Sequence, residues 1–384
     1  MKVSRFELIL MFLVLCISGN PLFIYTESNL LYVVSVVIMF VLSFVKRKAL
    51  CNRKLFFWLT CTFFLFFFQN SYLELTSIKA DANFIARLYI AFLAASFFGY
   101  RFRDVYFKVM VVLCAISIPC YLLQLSGVCF GYEVNRYKCI LVYSFIMESE
   151  RNMGMFWEPG AFQGFIMLVP LLYSDNLKKL WNNNKKECVI LILALLTTKS
   201  TTGFLAFAAF IFLNILLEGK INVFLKTILI MLAIVGFSLV WAQDFMGEKL
   251  MNEYEELQTM QNGQVSWNRM AVMIIDFQNI MRHPIIGNGF MDNSRYGILG
   301  ELMRGAGNGF TGTINMLGIP FMLLFFIGVF KNLVHMSKVK RYVFIFIFIL
   351  LLNGEYFLNY PLFWSLLFIK FPQHERTIGT INRT

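Results

Sequence analysis

Charged side chains are scarce in this chain. Only 15% of its 384 residues are Asp, Glu, Lys or Arg, whereas 59% are hydrophobic and 44 are phenylalanine. A soluble domain of this length needs a polar surface, and a surface this apolar would aggregate. The apolar residues also form long uninterrupted runs, which are typical of transmembrane helices. The composition therefore excludes a soluble globular protein and predicts an all-α polytopic membrane protein.

Residues that bind metals or react covalently are also few. The three histidines are scattered, and the eight cysteines include no CxxC pair, so the sequence predicts no metal site. It contains no P-loop, dinucleotide fingerprint or serine elbow, and we expect no cofactor. Cys129 and Cys139 fall in one polar segment, where either a disulfide or two free thiols would fit.

The net charge of +12 could indicate nucleic-acid binding, but its distribution argues against that partner. The basic residues lie in short clusters between the apolar runs, as the positive-inside rule expects. An N-terminus on the inner side places most of these clusters on that side. The sequence therefore predicts that both termini are cytoplasmic.

The apolar runs predict about twelve transmembrane helices in a single integral membrane domain covering residues 1–384. The candidate spans are 6–24, 30–45, 55–68, 84–99, 105–125, 162–173, 188–198, 203–217, 223–242, 314–330, 342–352 and 357–369. Spans 188–198 and 342–352 are short for a bilayer about 30 Å thick, which favours broken or re-entrant helices.

Two substantial segments then lie on the outer side, at residues 127–160 and 243–313. The second, between the ninth and tenth spans, contains an amphipathic pattern over residues 266–283 that ends before Pro284. Its predicted apolar face consists of Trp267, Met270, Ala271, Ile274, Phe277 and Met281. This helix is interpreted either as a lid over a site or as a helix lying on the membrane surface.

Residues 151–162 place an arginine, a tryptophan and a glutamate beside a membrane span. Charges at membrane depth are costly, so Arg151 and Glu158 mark a candidate functional site. In the alternative interpretation Arg151 faces water and the exposed Trp157 is an interfacial anchor.

Other cations are predicted on the same outer face. Lys199 and Ser200 lie in the tight connection between the seventh and eighth spans, Arg269 lies on the amphipathic helix, and Arg304 precedes the tenth span. Arginine and lysine side chains match phosphate oxygens, and a helix N-terminus adds backbone N–H donors. Together they predict a diphosphate site. Arg295 and Lys249 are interpreted as solvated charges.

These motifs resemble those of the O-antigen polymerase and ligase superfamily, whose members are integral membrane C-type glycosyltransferases. The shared motifs are Arg-x-x-Gly-x-Phe-x-Glu-Pro at 151–159, Ser-Thr-Thr-Gly at 200–203, Arg269 with Pro-x-x-Gly-x-Gly at 284–289, and Gly-Asn-Gly-Phe at 307–310. The resemblance covers most of the chain after residue 127, and the first five spans add only topology.

The resemblance implies an enzyme that joins polyprenyl-diphosphate-linked glycan repeat units on the outer face of the bacterial cytoplasmic membrane. Its expected partners are the lipid-linked glycan, membrane lipids, and a flippase and chain-length regulator of the same pathway. Arg151 and Arg269, with Lys199, Ser200 and Arg304, would bind the diphosphate. Glu158 would take the proton of the attacking hydroxyl, or alternatively be a structural partner of Arg151. Trp157, Asn308 and His283 are glycan-binding candidates.

One departure separates the members of this superfamily. Ligases resemble one another in a His-Asn pair before a late span, and this chain has Gly307-Asn308 there. The departure favours the polymerase. The alternatives are a ligase-type glycan transferase and a lipid-linked oligosaccharide transporter, although the internal repeats typical of transporters are not detected.

Overall fold

The computed structural model describes residues 3–24, 30–74, 77–127, 131–134, 137–140, 143–145, 150–217, 269–297 and 308–371. Within these ranges the chain is predominantly helical, in keeping with a helical membrane protein. The helices are α1 Arg5–Ile17, α2 Pro21–Ile24, α3 Leu30–Val45, α4 Arg53–Tyr72, α5 Ile78–Phe98, α6 Phe102–Leu125, α7 Pro159–Leu172, α8 Leu177–Asn183, α9 Lys185–Thr197, α10 Thr201–Leu217, α11 Arg269–Arg282, α12 Asp292–Tyr296, α13 Gly309–Leu317, α14 Ile319–Asn332, α15 Lys338–Gly354 and α16 Pro361–Trp364.

A small antiparallel sheet lies in the first predicted outer segment. Its strands are β1 Tyr132–Val134, β2 Tyr137–Ile140 and β3 Tyr143–Phe145, in that order, with Cys139 opposite both Tyr132 and Ser144. Tyrosine, valine, isoleucine and phenylalanine favour strands. This sheet was not predicted from the sequence. Cys129 lies outside the described residues, so the disulfide expectation stays untested.

Few of the described helices are both long and apolar enough to cross a membrane unaided. Arg53–Tyr72 and the continuous helical stretch Ile78–Leu125 meet that criterion, and a third span results if α13 and α14 count as one despite a 117° bend between them. Shorter apolar helices include α7 and α10. The predicted span 223–242 lies outside the described residues. The count of twelve spans therefore stays a prediction.

Several basic residues lie together at one end of the helices, which we call the basic end, and form contacts between neighbouring helix ends there. Arg101 lies 2.7 Å from Glu7 at the start of α1, Arg103 lies 3.2 Å from Asp175 after α7, and Lys340 Nζ donates to Ser174 O at 2.7 Å. Lys54 likewise joins the start of α4 to the end of α14 through Asn332. These segments are the ones that the sequence assigns to the inner side. The side that they face stays a prediction.

Several hydrogen bonds from neutral side chains join chain segments at the other end of the helices, which we call the far end. Asn20, after α1, donates to Met155 O at 2.8 Å, and Tyr121 in the last turns of α6 donates to Glu150 O at 2.9 Å. Gln69 near the end of α4 donates to the carbonyl oxygens of Ile286 and Met316. At the far end, residues 150–158 and the segment after α11 therefore pack against the ends of α1, α4 and α6.

Aromatic packing fixes the C-terminal part of the chain inside the bundle. The ring of Trp364 is fully buried, 5.1 Å from the Phe84 ring and 4.8 Å from the Phe325 ring. Its indole N–H donates to Leu358 O at 2.6 Å, so the ring loses no hydrogen bond on burial. Because α16 packs against α5, the polar residues that precede it at 353–356 are held at the far end.

Candidate functional site at the far end

Asn152 anchors the motif segment that begins at Arg151. Its side chain is fully buried and donates to Ser117 Oγ at 3.2 Å and Thr197 Oγ1 at 2.9 Å, while its backbone N–H donates to Thr197 O at 3.0 Å. The Asn152 Oδ1 atom accepts from Gly154 N at 3.0 Å. A buried amide with these partners is a rigid link. It fixes Arg151 against the turn between α9 and α10.

The predicted phosphate ligands Arg151, Lys199 and Ser200 do meet at this turn. Arg151 Nε donates to Thr198 O at 3.2 Å, and Lys199 Nζ lies 3.5 Å from Glu150 Oε2. Ser200 is buried directly before α10. The helix N-terminus adds a partial positive charge to the two cationic side chains. The arrangement can bind an anion.

Two features of the turn are unusual. Lys199 has φ of +46°, in the left-handed region that side chains with a Cβ avoid. The next helix begins with Thr201, whose hydroxyl is buried and has no hydrogen-bond partner within the described ranges. Strained backbone and unsatisfied buried polar atoms are uncommon in folded proteins and concentrate at functional sites.

Trp157 is buried, which corrects its interpretation as an exposed interfacial anchor. Only 7% of the residue is exposed, and its ring lies 4.6 Å from the ring of Tyr360. The indole N–H donates to Glu355 Oε2 at 3.1 Å. An indole at the membrane surface would keep this donor in water, whereas here it pairs with a buried carboxylate. Trp157 therefore links the motif segment to the end of α15.

Glu355 lies where three helices begin. The carboxylate is buried, and a Cβ on Gly160 in the first turn of α7 would lie 2.6 Å from its Oε1 atom. A Cβ on Gly309, the first residue of α13, would lie 2.0 Å from its backbone oxygen. Gly354, the residue before Glu355, contacts Thr202 in the first turn of α10. Glycine is required at these close approaches because a larger residue would collide.

Gln163, one turn into α7, carries another unsatisfied group. The side chain is 1% exposed and packs on the α-carbon of Gly203, and its Nε2 atom has no hydrogen-bond partner among the residues that the structure describes. Residues three apart lie on one face of a helix, so Gln163 is on the side of α7 that Glu355 contacts at Gly160. The far end thus contains a buried carboxylate and an open amide donor on neighbouring turns.

Glu158 precedes α7 as its N-cap residue and is half-buried. Its side chain accepts no hydrogen bond from the first turn of the helix. The carboxylate is therefore not used as the helix cap, and it lies next to Trp157 in the chain. Glu158 and Glu355 are two carboxylates at the start of one helix, of which sequence analysis proposed only the first.

The predicted helix over residues 266–283 is confirmed as α11 where the structure describes it, but its buried face is not the predicted one. Asp276 is fully buried, whereas Phe277 and Met281 are 52% and 75% exposed. Asp276 accepts from Tyr296, Thr311 and Asn315 at 2.8–2.9 Å. These hydrogen bonds hold Asp276 inward against α12 and α13, beside the buried Val272 and Ile280. An outward apolar face costs nothing where it meets lipid.

Arg295 was interpreted as a solvated charge, and this was wrong. It is 8% exposed, forms a short ion pair with Asp292, and lies 4.9 Å from the centre of the Tyr296 ring. Burial alone would lower the pKa of Arg295, but the surrounding Tyr296, Tyr356, Asp292 and Asp276 raise it on balance. The signal in the sequence was Asp292 three residues before Arg295, a spacing that forms ion pairs on a helix.

Burial raises the pKa of the Asp276 carboxyl group. The side-chain hydrogen bonds from Asn315, Thr311 and Tyr296 oppose this shift. The pKa of Tyr296 is raised as well, chiefly by burial. Asp276, Tyr296 and Arg295 therefore form a buried polar cluster that joins α11 and α12 to α13. We call it the loop network.

Four predicted site residues remain. Asn308 is buried, caps α13 by accepting from Phe310 N and Thr311 N, and donates to Asn353 Oδ1 at 2.8 Å. His283 is half-buried, with its ring 5.8 Å from the Tyr72 ring. Arg269 is the first residue of α11, and Arg304 lies outside the described residues. Within those residues no group of three or more His, Cys, Asp or Glu side chains is placed to hold a metal.

The comparisons with known proteins support the resemblance seen in the motifs. The sequence model of a family described as O-antigen ligase matches residues 188–311. The matched segment runs from α9 into the first residues of α13 and includes Lys199, Ser200, Arg269 and Asn308. No curated protein and no solved structure matches the chain. The match supports the O-antigen polymerase and ligase superfamily.

Proposed function

We propose that this protein is a membrane glycosyltransferase that polymerises polyprenyl-diphosphate-linked repeat units into a surface polysaccharide. The observation that carries the proposal is the meeting of Arg151, Lys199 and Ser200 at the start of α10, beside the unsatisfied hydroxyl of Thr201. A diphosphate leaving group carries several negative charges, and fixed cations and N–H donors stabilise such charge as it develops. Arg269 and Arg304 are proposed to complete this group.

In the proposed reaction, a hydroxyl of the acceptor repeat unit attacks the sugar carbon that bears the diphosphate. The bond from the sugar carbon to the phosphate oxygen breaks, and its electron pair leaves with the polyprenyl diphosphate. The attacking hydroxyl must lose its proton to a nearby group. Carboxylates at the start of α7 are suited to this role, and the sequence assigns it to Glu158. No nucleotide sugar, metal or cofactor enters the scheme.

The far end is proposed to face the outer side of the bacterial cytoplasmic membrane, with both termini cytoplasmic. The supporting observation is that the basic end collects Arg101, Arg103, Lys54 and Lys340, as expected for an inner side. The lipid-linked repeat units would then arrive from a flippase of the same pathway. Capsule, O-antigen and other exopolysaccharides are all compatible products.

A ligase-type glycan transferase is the second candidate, because the matched family is described as O-antigen ligase. Both activities use the same lipid diphosphate donor and differ in the acceptor. The residues at 307–308 favour the polymerase, since ligases of the superfamily resemble one another in a histidine there. Asn308 instead caps α13 and bonds Asn353, so it serves the fold.

The experiment is a glycan ladder from cells that carry Arg151→Ala, with Arg53→Ala as the control. Arg53 is an exposed arginine at the start of α4, at the basic end. We expect Arg151→Ala to lower polymer by about a hundredfold, the scale for one electrostatic donor, while single repeat units still reach the surface. Polymer retained on its lipid carrier indicates a ligase. Loss of all surface glycan, with repeat units trapped inside the cell, indicates a transporter and refutes the proposal.

A further inference from the structure

Glu355 is the second carboxylate of the far end, and its surroundings differ from those of Glu158. It is 6% exposed, and each of its carboxylate oxygens has a defined neighbour. Oε2 accepts from the Trp157 indole N–H at 3.1 Å, while Oε1 lies against the α-carbon of Gly160. Its backbone is fixed by the close approach of Gly309. The carboxylate is therefore held in one position before any substrate binds.

Side chains that carry polar groups lie against three glycines around this site. Glu355 contacts Gly160, Gln163 contacts Gly203, and Thr202 contacts Gly354. Gln163 Nε2 is buried without a hydrogen-bond partner in the described part of the chain. A buried amide N–H that is left unpaired destabilises the fold, so its retention favours a ligand that accepts its hydrogen bond. A sugar hydroxyl accepts and donates at once.

We propose that Glu355, and not Glu158, takes the proton from the attacking hydroxyl of the acceptor sugar, and that Gln163 holds the same sugar through its amide. This assignment rests on the proposed glycosyltransferase function. As the hydroxyl oxygen forms its bond to the donor sugar carbon, the bond to the diphosphate oxygen breaks and the electron pair leaves with the lipid diphosphate. The hydroxyl proton goes to the Glu355 carboxylate and is later released to water.

The geometry supports Glu355 over Glu158 for two reasons. Glu355 is withdrawn from water, and in a site from which water is excluded a carboxylate and a hydroxyl interact more strongly than in bulk solvent. Glu158 is half-buried at the helix start, so it is the more accessible to water of the two carboxylates. A proton acceptor must be held within hydrogen-bond reach of the hydroxyl, and the contacts on Glu355 provide that rigidity.

The test uses the full-length protein in proteoliposomes with lipid-linked oligosaccharides extracted from the membranes of the native cells. The variants are Glu355→Gln and Glu158→Gln, and the control is Glu74→Gln, an exposed glutamate after α4. Glutamine keeps an oxygen that accepts from Trp157, so the fold is retained while the base is lost. Thermal unfolding of each variant checks this.

We expect Glu355→Gln to lower kcat by about a hundredfold or more, Glu158→Gln by less than tenfold, and Glu74→Gln not at all. The wild-type rate should fall as the pH is lowered and the carboxylate is protonated, and Glu355→Gln should lose this dependence. Gln163→Leu should raise KM for the acceptor. A purely structural role for Glu355 would change stability without changing the pH profile.

The assignment is overturned if Glu355→Gln keeps kcat within threefold of wild type, or if Glu158→Gln shows the larger loss. Glu355→Asp decides the question should the glutamine variant fail to fold. We expect it to keep the pH dependence at a kcat reduced at least tenfold, and an unchanged kcat refutes the proposal. Absence of transfer by the wild-type protein would instead refute the glycosyltransferase function itself.

Discussion

Replacing Asp276 with alanine tests whether the loop network holds α11 and α12 onto α13. The carboxylate is fully buried and accepts three hydrogen bonds, from Tyr296 and Asn315 on Oδ1 and from Thr311 on Oδ2. Alanine removes all three acceptor positions at once. It also removes one of the two carboxylates near the buried Arg295.

The expected cost follows from these partners. Each buried donor left unpaired costs about 1–3 kcal/mol, so three such donors cost about 3–9 kcal/mol together. The two hydroxyl groups can rotate toward other acceptors, which brings the total toward the lower end of that range. Arg295 keeps its ion pair with Asp292, so the three unpaired donors account for most of the cost. We therefore expect Asp276→Ala to destabilise the protein by about 3–5 kcal/mol. Asp276→Asn, which keeps one oxygen, should cost less than half as much.

The assay is thermal unfolding of the detergent-purified protein, with Gln278→Ala as the control. Gln278 is an exposed residue of the same helix and has the same helical context. We expect the melting temperature to fall by several degrees for Asp276→Ala and by less than one degree for the control. An Asp276→Ala protein that melts with wild type would refute the view that the buried polar face holds α11.

Two further predictions concern pH and backbone strain. Burial raises the pKa of Asp276 above the ordinary aspartate value of 3.8. The contribution of this carboxyl group to stability is therefore fully present below pH 3.8 and is lost as pH rises through the raised pKa. The stability of wild type relative to Asp276→Asn should decline over that interval, and a constant difference would contradict the raised pKa. Lys199 has φ of +46°, and left-handed backbone costs about 1–2 kcal/mol in a residue with a Cβ. Lys199→Gly should therefore raise the melting temperature. It should also lower the polymer yield, because it removes one of the proposed phosphate ligands. A glycine variant with a lower melting temperature would show that the Lys199 side chain stabilises the turn more than its backbone strains it.

Helix ends were accessible from the sequence because their signals are local. Pro284 predicted the end of the loop helix, and α11 does end at Arg282. The turn residues Lys199 and Ser200 were likewise placed between two helices, where the structure has them. Each of these predictions depends on backbone chemistry within a few residues.

The inward face of α11 could not be predicted from apolar periodicity. In a soluble protein the apolar side of a helix faces the core, and that rule selected Phe277 and Met281, which are exposed. In a membrane protein lipid is as apolar as the core, so the rule loses its direction. Buried polar residues such as Asp276 and Asn279 are the better indicator, because they are tolerated only where partners satisfy them.

Residues distant in the chain account for the rest of what was missed. Glu355 was not among the predicted site residues, because its partner Trp157 lies 198 residues away in the chain. Trp157 was assigned to the surface for the same reason. Such pairings come from tertiary structure, which local patterns do not encode.

The hydrogen bonds of Asn152 with Thr197 and of Asn308 with Asn353 have a practical meaning for protein engineering. The segment that matches the ligase family, 188–311, begins and ends between these partners. A chimera that transplants only this segment would sever both links and separate Arg151 and Glu355 from the turn and helix starts they accompany. A chimera between related proteins should therefore transplant residues 150–356 as one segment.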